Sequence, residues 1–191
     1  RWIDVGCGNG AFTATLAARC APRSLHGIDP SHAQLAYAQK RSLAVPATFT
    51  QADARALPFE AATFDAAVMP LVLFFVPEPA KGTAEMVRVV RPGGSVSAYV
   101  WDLPGGGFPY ELLHQSLRDM GQKVPMPPCP DVARLAALEE HWRAAGLEGV
   151  SLTVIDVQRS YRDFDDYWSI VQGGPSAAAL LSAMAPDVRA Q

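Results

Sequence analysis

Three glycines and three aspartates carry the chemistry that can be read from this sequence. The run Asp4-Val5-Gly6-Cys7-Gly8-Asn9-Gly10 sits directly between a short apolar segment and an Ala/Leu-rich one. Glycines at such a strand-to-helix junction let the backbone turn tightly and let a ligand approach the main chain. With Ala11 the same loop satisfies the dinucleotide pattern through Gly6 and Gly8. Asp29 closes the second apolar run, where a carboxylate can accept both hydroxyls of a ribose. A nicotinamide dehydrogenase wants an acid there too, so loop and Asp29 leave two classes of nucleoside cofactor open. Asp53 follows the third apolar run, in Ala52-Asp53-Ala54-Arg55-Ala56-Leu57-Pro58-Phe59. A carboxylate there can accept from an adenine exocyclic amine, with the Ala54 amide beside it.

Other chemistries find less support. No serine stands at a strand-to-helix elbow, which argues against a hydrolase. The three cysteines, Cys7, Cys20 and Cys129, are odd in number and none is spaced for zinc. No disulfide framework and no metal are expected, and a reduced, cytoplasmic setting is the natural reading. Cys7 itself reads as a small buried filler of the loop. The acidic group Asp163, Asp165 and Asp166 reads as a solvated helix start. His114 is the one histidine placed to reach an acceptor.

Alternating strands and helices must position these residues. Trp2–Val5, Leu25–Ile28, Ala47–Gln51 and Phe64–Met69 read as strands, the last apolar on both faces like a central parallel strand. Ala11–Cys20 reads as a helix stopped before Pro22. Ser31 is a good N-cap for a helix reaching about Ser42. Pro79–Val90 is expected to be a helix with Ala80, Ala84, Val87 and Arg91 on one stripe. Pro92-Gly93-Gly94 then forms a turn, and Ser95–Trp101 a fifth strand. Such alternation with short connections predicts an α/β fold: a Rossmann-like, doubly wound, mostly parallel sheet between two helical layers.

The later part differs in character. Residues 103–130 are rich in Pro and Gly and read as a lid or substrate insertion, with a helix at Leu112–Met120. Asp131–Ala145 is expected to be a helix presenting Leu135, Leu138 and Trp142, and Val150–Val157 a sixth strand. Phe164–Val171 and Ala177–Met184 read as helices.

Length and composition bound these readings. The chain has 191 residues, 49% hydrophobic and 18% charged, enough for one domain with a substantial core. That domain divides into a cofactor-binding core at 1–102, the insertion at 103–130 and a C-terminal part at 131–191. The formal net charge of -3 argues against a surface built to neutralise nucleic acid. The longest apolar run, Ala66 to Pro77, is interrupted by Pro70 and is shorter than the ~20 residues of a membrane span.

Taken in order, the glycine loop, Asp29, Asp53-Ala54 with Leu57-Pro58-Phe59, and Arg91-Pro92-Gly93-Gly94 resemble the class I S-adenosylmethionine-dependent methyltransferases. The similarity is to the methyltransferase type 11 branch, which includes relatives of the ubiquinone and menaquinone C-methyltransferases. It is dense over Trp2 to Asp102. The resemblance implies S-adenosylmethionine as cofactor and a small-molecule acceptor. Gly6, Cys7, Gly8 and Gly10 would meet the methionine part, with Asp4 beneath the loop. Asp29 would hold the ribose, Pro30 would flank the adenine, and Asp53 with Ala54 would meet its edge. Met69 and Pro70 would lie near the sulfonium. Phe74, Trp101, Phe108, Tyr110 and His114 are candidates for the acceptor site. Many relatives carry a histidine pair where this chain has Phe74 and Phe75, so histidine-assisted chemistry is not expected there, and no catalytic residue is assigned.

A nicotinamide-dependent oxidoreductase is the runner-up; it wants a catalytic tyrosine-lysine or histidine pair, and besides Lys40 the chain has only Lys81 and Lys123, neither well placed. A cofactor-binding fragment without catalysis is the third reading. Relatives have a helix before the glycine-loop strand and a seventh strand between the fifth and sixth. The expectation is therefore a catalytic core trimmed at both ends, whose sheet lacks the last strand of the family and leaves the sixth strand with an exposed edge.

Overall fold

A computed structural model describes residues 1–124, 126–173, 177, 181, 182 and 184. The chain divides into two compact units: Arg1–Gly106 with Pro127–Leu152, and Gly107–Met126 with Thr153–Gln191.

The first unit is built on one sheet. Its strands are β1 (Trp2–Val5), β2 (Leu25–Asp29), β3 (Ala47–Gln51), β4 (Phe64–Pro70) and β5 (Val90–Tyr99). Their order is β3-β2-β1-β4-β5, and every pairing is parallel. The reversal of strand order beside β1 creates the crevice at which open α/β sheets bind ligands. The predicted parallel, doubly wound architecture is observed.

Helices cover both faces. Helix α1 (Ala11–Cys20) buries Thr13, Leu16 and Ala17, and Leu16 and Ala17 cluster with Leu25 and Val68. Helix α2 (His32–Ala38) starts at Ser31, whose hydroxyl accepts from Gln34 N as the sequence predicts. It stops at Ala38, short of Ser42, where Lys40 N and Arg41 N turn back to the carbonyls of Tyr37 and Ala38. The opposite face holds the main core of Ile3, Val5, Ile28, Ala67 and Met69 against Met86 and Val89. Those last two belong to α3 (Pro79–Val89), whose inward residues are Gly82, Thr83, Met86 and Val89. The expected stripe of Ala80, Ala84 and Val87 is therefore rotated: the large apolar side chains, not the alanines, set the face.

Three further expectations are corrected. Pro92-Gly93-Gly94 is not a turn between elements but lies inside β5, where the register jumps from Phe64↔Val90 to Ala66↔Ser95. The extra residues are absorbed as a bulge. β5 ends at Tyr99, which leaves Trp101 beyond the sheet. The 131–145 helix is broken: Pro130–Ala133 form a 3-10 turn, Arg134 is extended, and α5 (Leu135–Ala144) buries Leu138 and Trp142 while Leu135 stays exposed.

Val150–Val157 is not a strand. Val150 and Leu152 reach the core, but Val154, Ile155 and Val157 are exposed. A strand exists only as part of a hydrogen-bonded ladder. Among the described residues no strand pairs with the outer edge of β5, so the segment has no ladder to join.

The second unit contains α4 (Glu111–Asp119) and α6 (Phe164–Gly173). Its own core gathers Leu113, Leu117, Val171, Ala177 and Leu181, with Tyr110, Tyr167 and Trp168 packed against them. Ala177, Leu181 and Ser182 are helical, and the rest of the predicted Ala177–Met184 helix lies outside the described residues apart from Met184. Among the described residues no helix is long and apolar enough to cross a membrane.

Candidate functional site

The glycine loop folds over the carboxyl end of β2. Gly6 N and Cys7 N both donate to Ile28 O at 2.8 Å, and Gly10 N returns to Cys7 O at 2.9 Å. Gly6 has φ 77°, and a β-carbon there would lie 2.5 Å from Val72 Cγ2. The residue is glycine because the segment after β4 packs directly on the loop. Gly6→Ala is expected to cost about 2–4 kcal/mol, from left-handed backbone strain and the clash together. A urea unfolding curve measures this, and an unchanged midpoint would contradict the packing.

Gly8 differs. Its φ is 52°, yet a β-carbon there would meet nothing within 4 Å. Among the described residues, chain neighbours aside, no atom comes within 4 Å of that β-carbon position. Its amide donates to Asp29 Oδ2 at 2.9 Å, and Ser31 N donates to Asp29 Oδ1 at 2.8 Å. A carboxylate offers about four acceptor sites. Two are used, and two remain for hydroxyls at this edge of the sheet.

Beneath the loop lies Asp4, fully buried. Thr13 Oγ1 of α1 donates to Asp4 Oδ2 at 2.6 Å, while Asp4 Oδ1 has no partner among the described residues. Burial pushes the carboxyl up to about 6, with Thr13 pulling it down and Asp29 pushing it further up. Its folded pKa thus exceeds its ordinary value of 3.8. The folded state then holds the extra proton between those values. The sign is unusual for an aspartate: the Asp4 contribution to stability is fully present below about pH 4 and is lost as pH rises to about 6, by about 3 kcal/mol, while the lowered pKa values of His26, His114 and His141 act in the opposite direction. Asp4→Asn is expected to remove that contribution, so the urea midpoint of the variant relative to wild type rises between pH 4 and 7; a difference that does not change with pH would contradict it.

Cys7 is buried under the same loop, and burial, then Asp4 and Asp29, push its thiol up to about 12. It stays protonated and fills space, as read from the sequence. Asn9 is clamped from α2's end, its carbonyl accepting from Arg41 Nε at 2.5 Å.

At the other end of the crevice, Pro30 is exposed and its carbonyl accepts from Gln51 Nε2 at 2.9 Å. Asp53 holds Arg55: Oδ1 accepts from Arg55 N at 2.8 Å and Nε at 3.0 Å, and Oδ2 from Nη2 at 2.7 Å. These bonds keep the Asp53 carboxyl low, at about 2. Ala54 is buried in the core. The Leu57-Pro58-Phe59 turn is locked by α3: Glu85 accepts from Leu57 N at 2.7 Å, and Arg88 donates to the carbonyls of Leu57 and Phe59.

The structure separates the remaining candidates. Met69 is fully buried in the core, so its side chain faces away from the crevice, whereas Pro70 is partly exposed at the end of β4. Phe74 is buried and Phe75 is 56% exposed, so any aromatic wall there is Phe75. Trp101 is partly buried past β5. Phe108, Tyr110 and His114 belong to the second unit, where the rings of Phe108 and His114 meet edge-on at 4.9 Å.

Two residues were missed. Register places Asp4 beside Val68 and Val68 beside Ser97, so one step on along the same face come Gly6, Pro70 and Tyr99. Tyr99 therefore stands at the ligand edge, packed edge-on against Phe12 at 5.6 Å. Burial and the nearby Asp4 charge raise its pKa, so its phenol stays a proton donor at neutral pH. The second is Leu71, a non-glycine residue at φ 57°, whose amide donates to Tyr99 O at 2.8 Å. Alternation along β5 was a signal for Tyr99; nothing in the sequence marked Leu71.

A family model described as a methyltransferase domain matches residues 3–98. The chain is 34% identical over 124 residues to phthiotriol/phenolphthiotriol dimycocerosates methyltransferase 1 of Mycobacterium ulcerans, covering 60% of this chain and 46% of that protein. It is 35% identical over 94 residues to the chloroplastic 2-methyl-6-phytyl-1,4-hydroquinone methyltransferase 2 of Oryza sativa subsp. japonica, covering 49% and 27%. Among solved structures it resembles the [4+2]-cyclase SpnF, with TM-score 0.55, 27% identity, and 76% of this chain and 50% of that one covered. The chain thus spans less than half the length of these two curated relatives. Glycine loop, acidic strand end and parallel sheet agree with the family match: this chain belongs to the methyltransferase domain family, within the class I S-adenosylmethionine-dependent methyltransferases.

Proposed function

We propose that this chain binds S-adenosylmethionine across the carboxyl ends of its strands and transfers the methyl group to a small, apolar acceptor by in-line displacement. The observation that carries this reading is Asp4 Oδ1, buried beneath the glycine loop and without a partner among the described residues. A buried carboxylate oxygen without a partner is costly. A cationic amine set against it would recover that cost, and the methionine part of the cofactor carries one. Asp29 would take the ribose on its two free acceptor sites, and the open space over Gly8 would admit the chain between them.

When bound, the cofactor supplies an activated methyl on a sulfonium. The residues of this chain bind and orient. Pro70, Leu71 and Tyr99 would border the acceptor's approach, and fixing that approach in line is worth about 7–11 kcal/mol of barrier. Of the first unit's three histidines, only His32 lies just past a strand's carboxyl end, exposed at the start of α2 beyond β2, and no base is assigned to it. His26 Nε2 and Nδ1 are engaged by Thr50 and Thr48, and His141 by Thr83. The acceptor must then be nucleophilic by itself or release its proton to water. An apolar acceptor agrees with exposed Phe75 and with the names of both curated relatives. The acidic balance supports a small molecule over nucleic acid and the unpaired cysteines a cytoplasmic setting.

The fold also carries a cyclase, so the reaction itself needs a test. The full chain is incubated with methyl-labelled S-adenosylmethionine and a panel of apolar phenols, quinols and alcohols. Label in the organic extract, matched by S-adenosylhomocysteine, is expected. Bound cofactor with no label moved to any acceptor, and an acceptor isomerised instead, would overturn methyl transfer.

A further inference from the structure

Asp53 would meet the adenine edge, and the geometry of its carboxylate is governed by its neighbour Arg55. A carboxylate has about four acceptor sites. Arg55 fills both on Oδ1, through its backbone N at 2.8 Å and Nε at 3.0 Å, and one on Oδ2, through Nη2 at 2.7 Å. A single acceptor site on Oδ2 remains. An adenine amine has one N–H to offer along its outer edge, so the numbers match.

The guanidinium is held from its far side as well. Arg55 Nη1 lies 3.3 Å from Glu78 Oε2, and Glu78 Oε1 is itself paired with Lys81 Nζ at 2.6 Å. Glu78 immediately precedes α3, so this chain of charges ties the loop after β3 to the segment that follows β4. A planar fork gripped at both ends cannot rotate freely, and neither can the carboxylate it grips.

We propose that Arg55 is a positioning residue for adenine recognition: it fixes the Asp53 carboxylate so that one acceptor site on Oδ2 faces the exocyclic amine. The proposal rests on the cofactor reading above. It predicts selectivity and not merely affinity, because hypoxanthine replaces that amine with a carbonyl that cannot donate. Both side chains are substantially solvent-exposed, at 34% for Arg55 and 46% for Asp53, so removing the pair does not threaten the fold.

The test titrates the full chain, and its Arg55→Gln and Arg55→Lys variants, with S-adenosylhomocysteine and with S-inosylhomocysteine. Wild type is expected to prefer the adenine ligand by about tenfold or more. Arg55→Gln is expected to lose most of that preference, through weaker adenine binding with inosine binding unchanged. Arg55→Lys keeps the charge but lacks the fork, and should restore little of it. Equal weakening of both ligands would mark a structural role and overturn the proposal. So would an unchanged ratio, or tighter adenine binding, which would mean that Arg55 competes for Asp53. Wild type binding both ligands equally would also overturn it. Wild type binding neither would overturn the cofactor reading, and this inference with it.

Discussion

Gly8→Val is expected to abolish cofactor binding while leaving the chain folded. The argument is one of empty space. A β-carbon at Gly8 would touch no protein atom within 4 Å, whereas one at Gly6 would strike Val72. The protein itself therefore needs glycine at position 8 only for its left-handed backbone, at φ 52°. That strain costs about 1–2 kcal/mol on substitution. A ligand lying against the loop would collide with the valine side chain, and the expected loss of S-adenosylhomocysteine affinity is at least ~100-fold, or about 2.7 kcal/mol. Calorimetric titration beside a thermal melt measures both effects. A folded Gly8→Val variant that binds as wild type does would show that the space over the loop is not the cofactor's.

Asp29→Ala should weaken binding by a similar factor for a different reason. The carboxylate already holds Gly8 N and Ser31 N, so it organises the loop and the start of α2 together. Its two remaining acceptor sites are assigned to the ribose. Hydrogen bonds to a charged acceptor contribute about 1.5–3 kcal/mol each, and losing two gives roughly 100-fold or more. Asp29→Asn separates the two duties. Its amide oxygen can still accept from Gly8 N, but its amino group cannot accept from a hydroxyl. Its amino group also cannot accept from Ser31 N, so one of the two backbone bonds is lost; an intermediate loss of affinity is expected, with stability below wild type by about 1–3 kcal/mol. Deoxygenated ribose analogues check the assignment: Asp29→Ala should bind the 2′-deoxy ligand about as well as the parent, while wild type discriminates. Wild-type discrimination retained by Asp29→Ala would place the ribose elsewhere.

The cofactor half of this molecule was legible because its constraints are local. Glycine spacing in the loop, an acid closing β2 and the apolar run Ala66–Met69 in β4 each follow from what one short segment must do. Ser31 announced α2 for the same reason. What the sequence did not disclose depends on contacts between distant segments. Met69 reads as a plausible neighbour of the reacting centre until alternation along β4 turns it into the core beside Ala67. The face of α3 was misread because alanines fit either side, whereas Met86 and Val89 fit one. Leu71 becomes a candidate only when the carboxyl ends of β4 and β5 are seen bonded together, and the same pairing fixes the place of Tyr99 that alternation along β5 only hinted at. The 150–157 segment has strand composition throughout, yet composition cannot supply a pairing partner. Position singled out Asp53 as a candidate, while the grip of Arg55 on it, two residues away, needed side-chain geometry.

The most direct test of the account is a competitive titration of the full chain at pH 7 with S-adenosylhomocysteine and NADH. Both ligands carry an adenine and a ribose that Asp53 and Asp29 could address, but only the first carries an amine for Asp4 Oδ1. Saturable binding of S-adenosylhomocysteine, undisturbed by excess NADH and weakened in Asp4→Asn, is the predicted result. Binding of NADH without S-adenosylhomocysteine would contradict it.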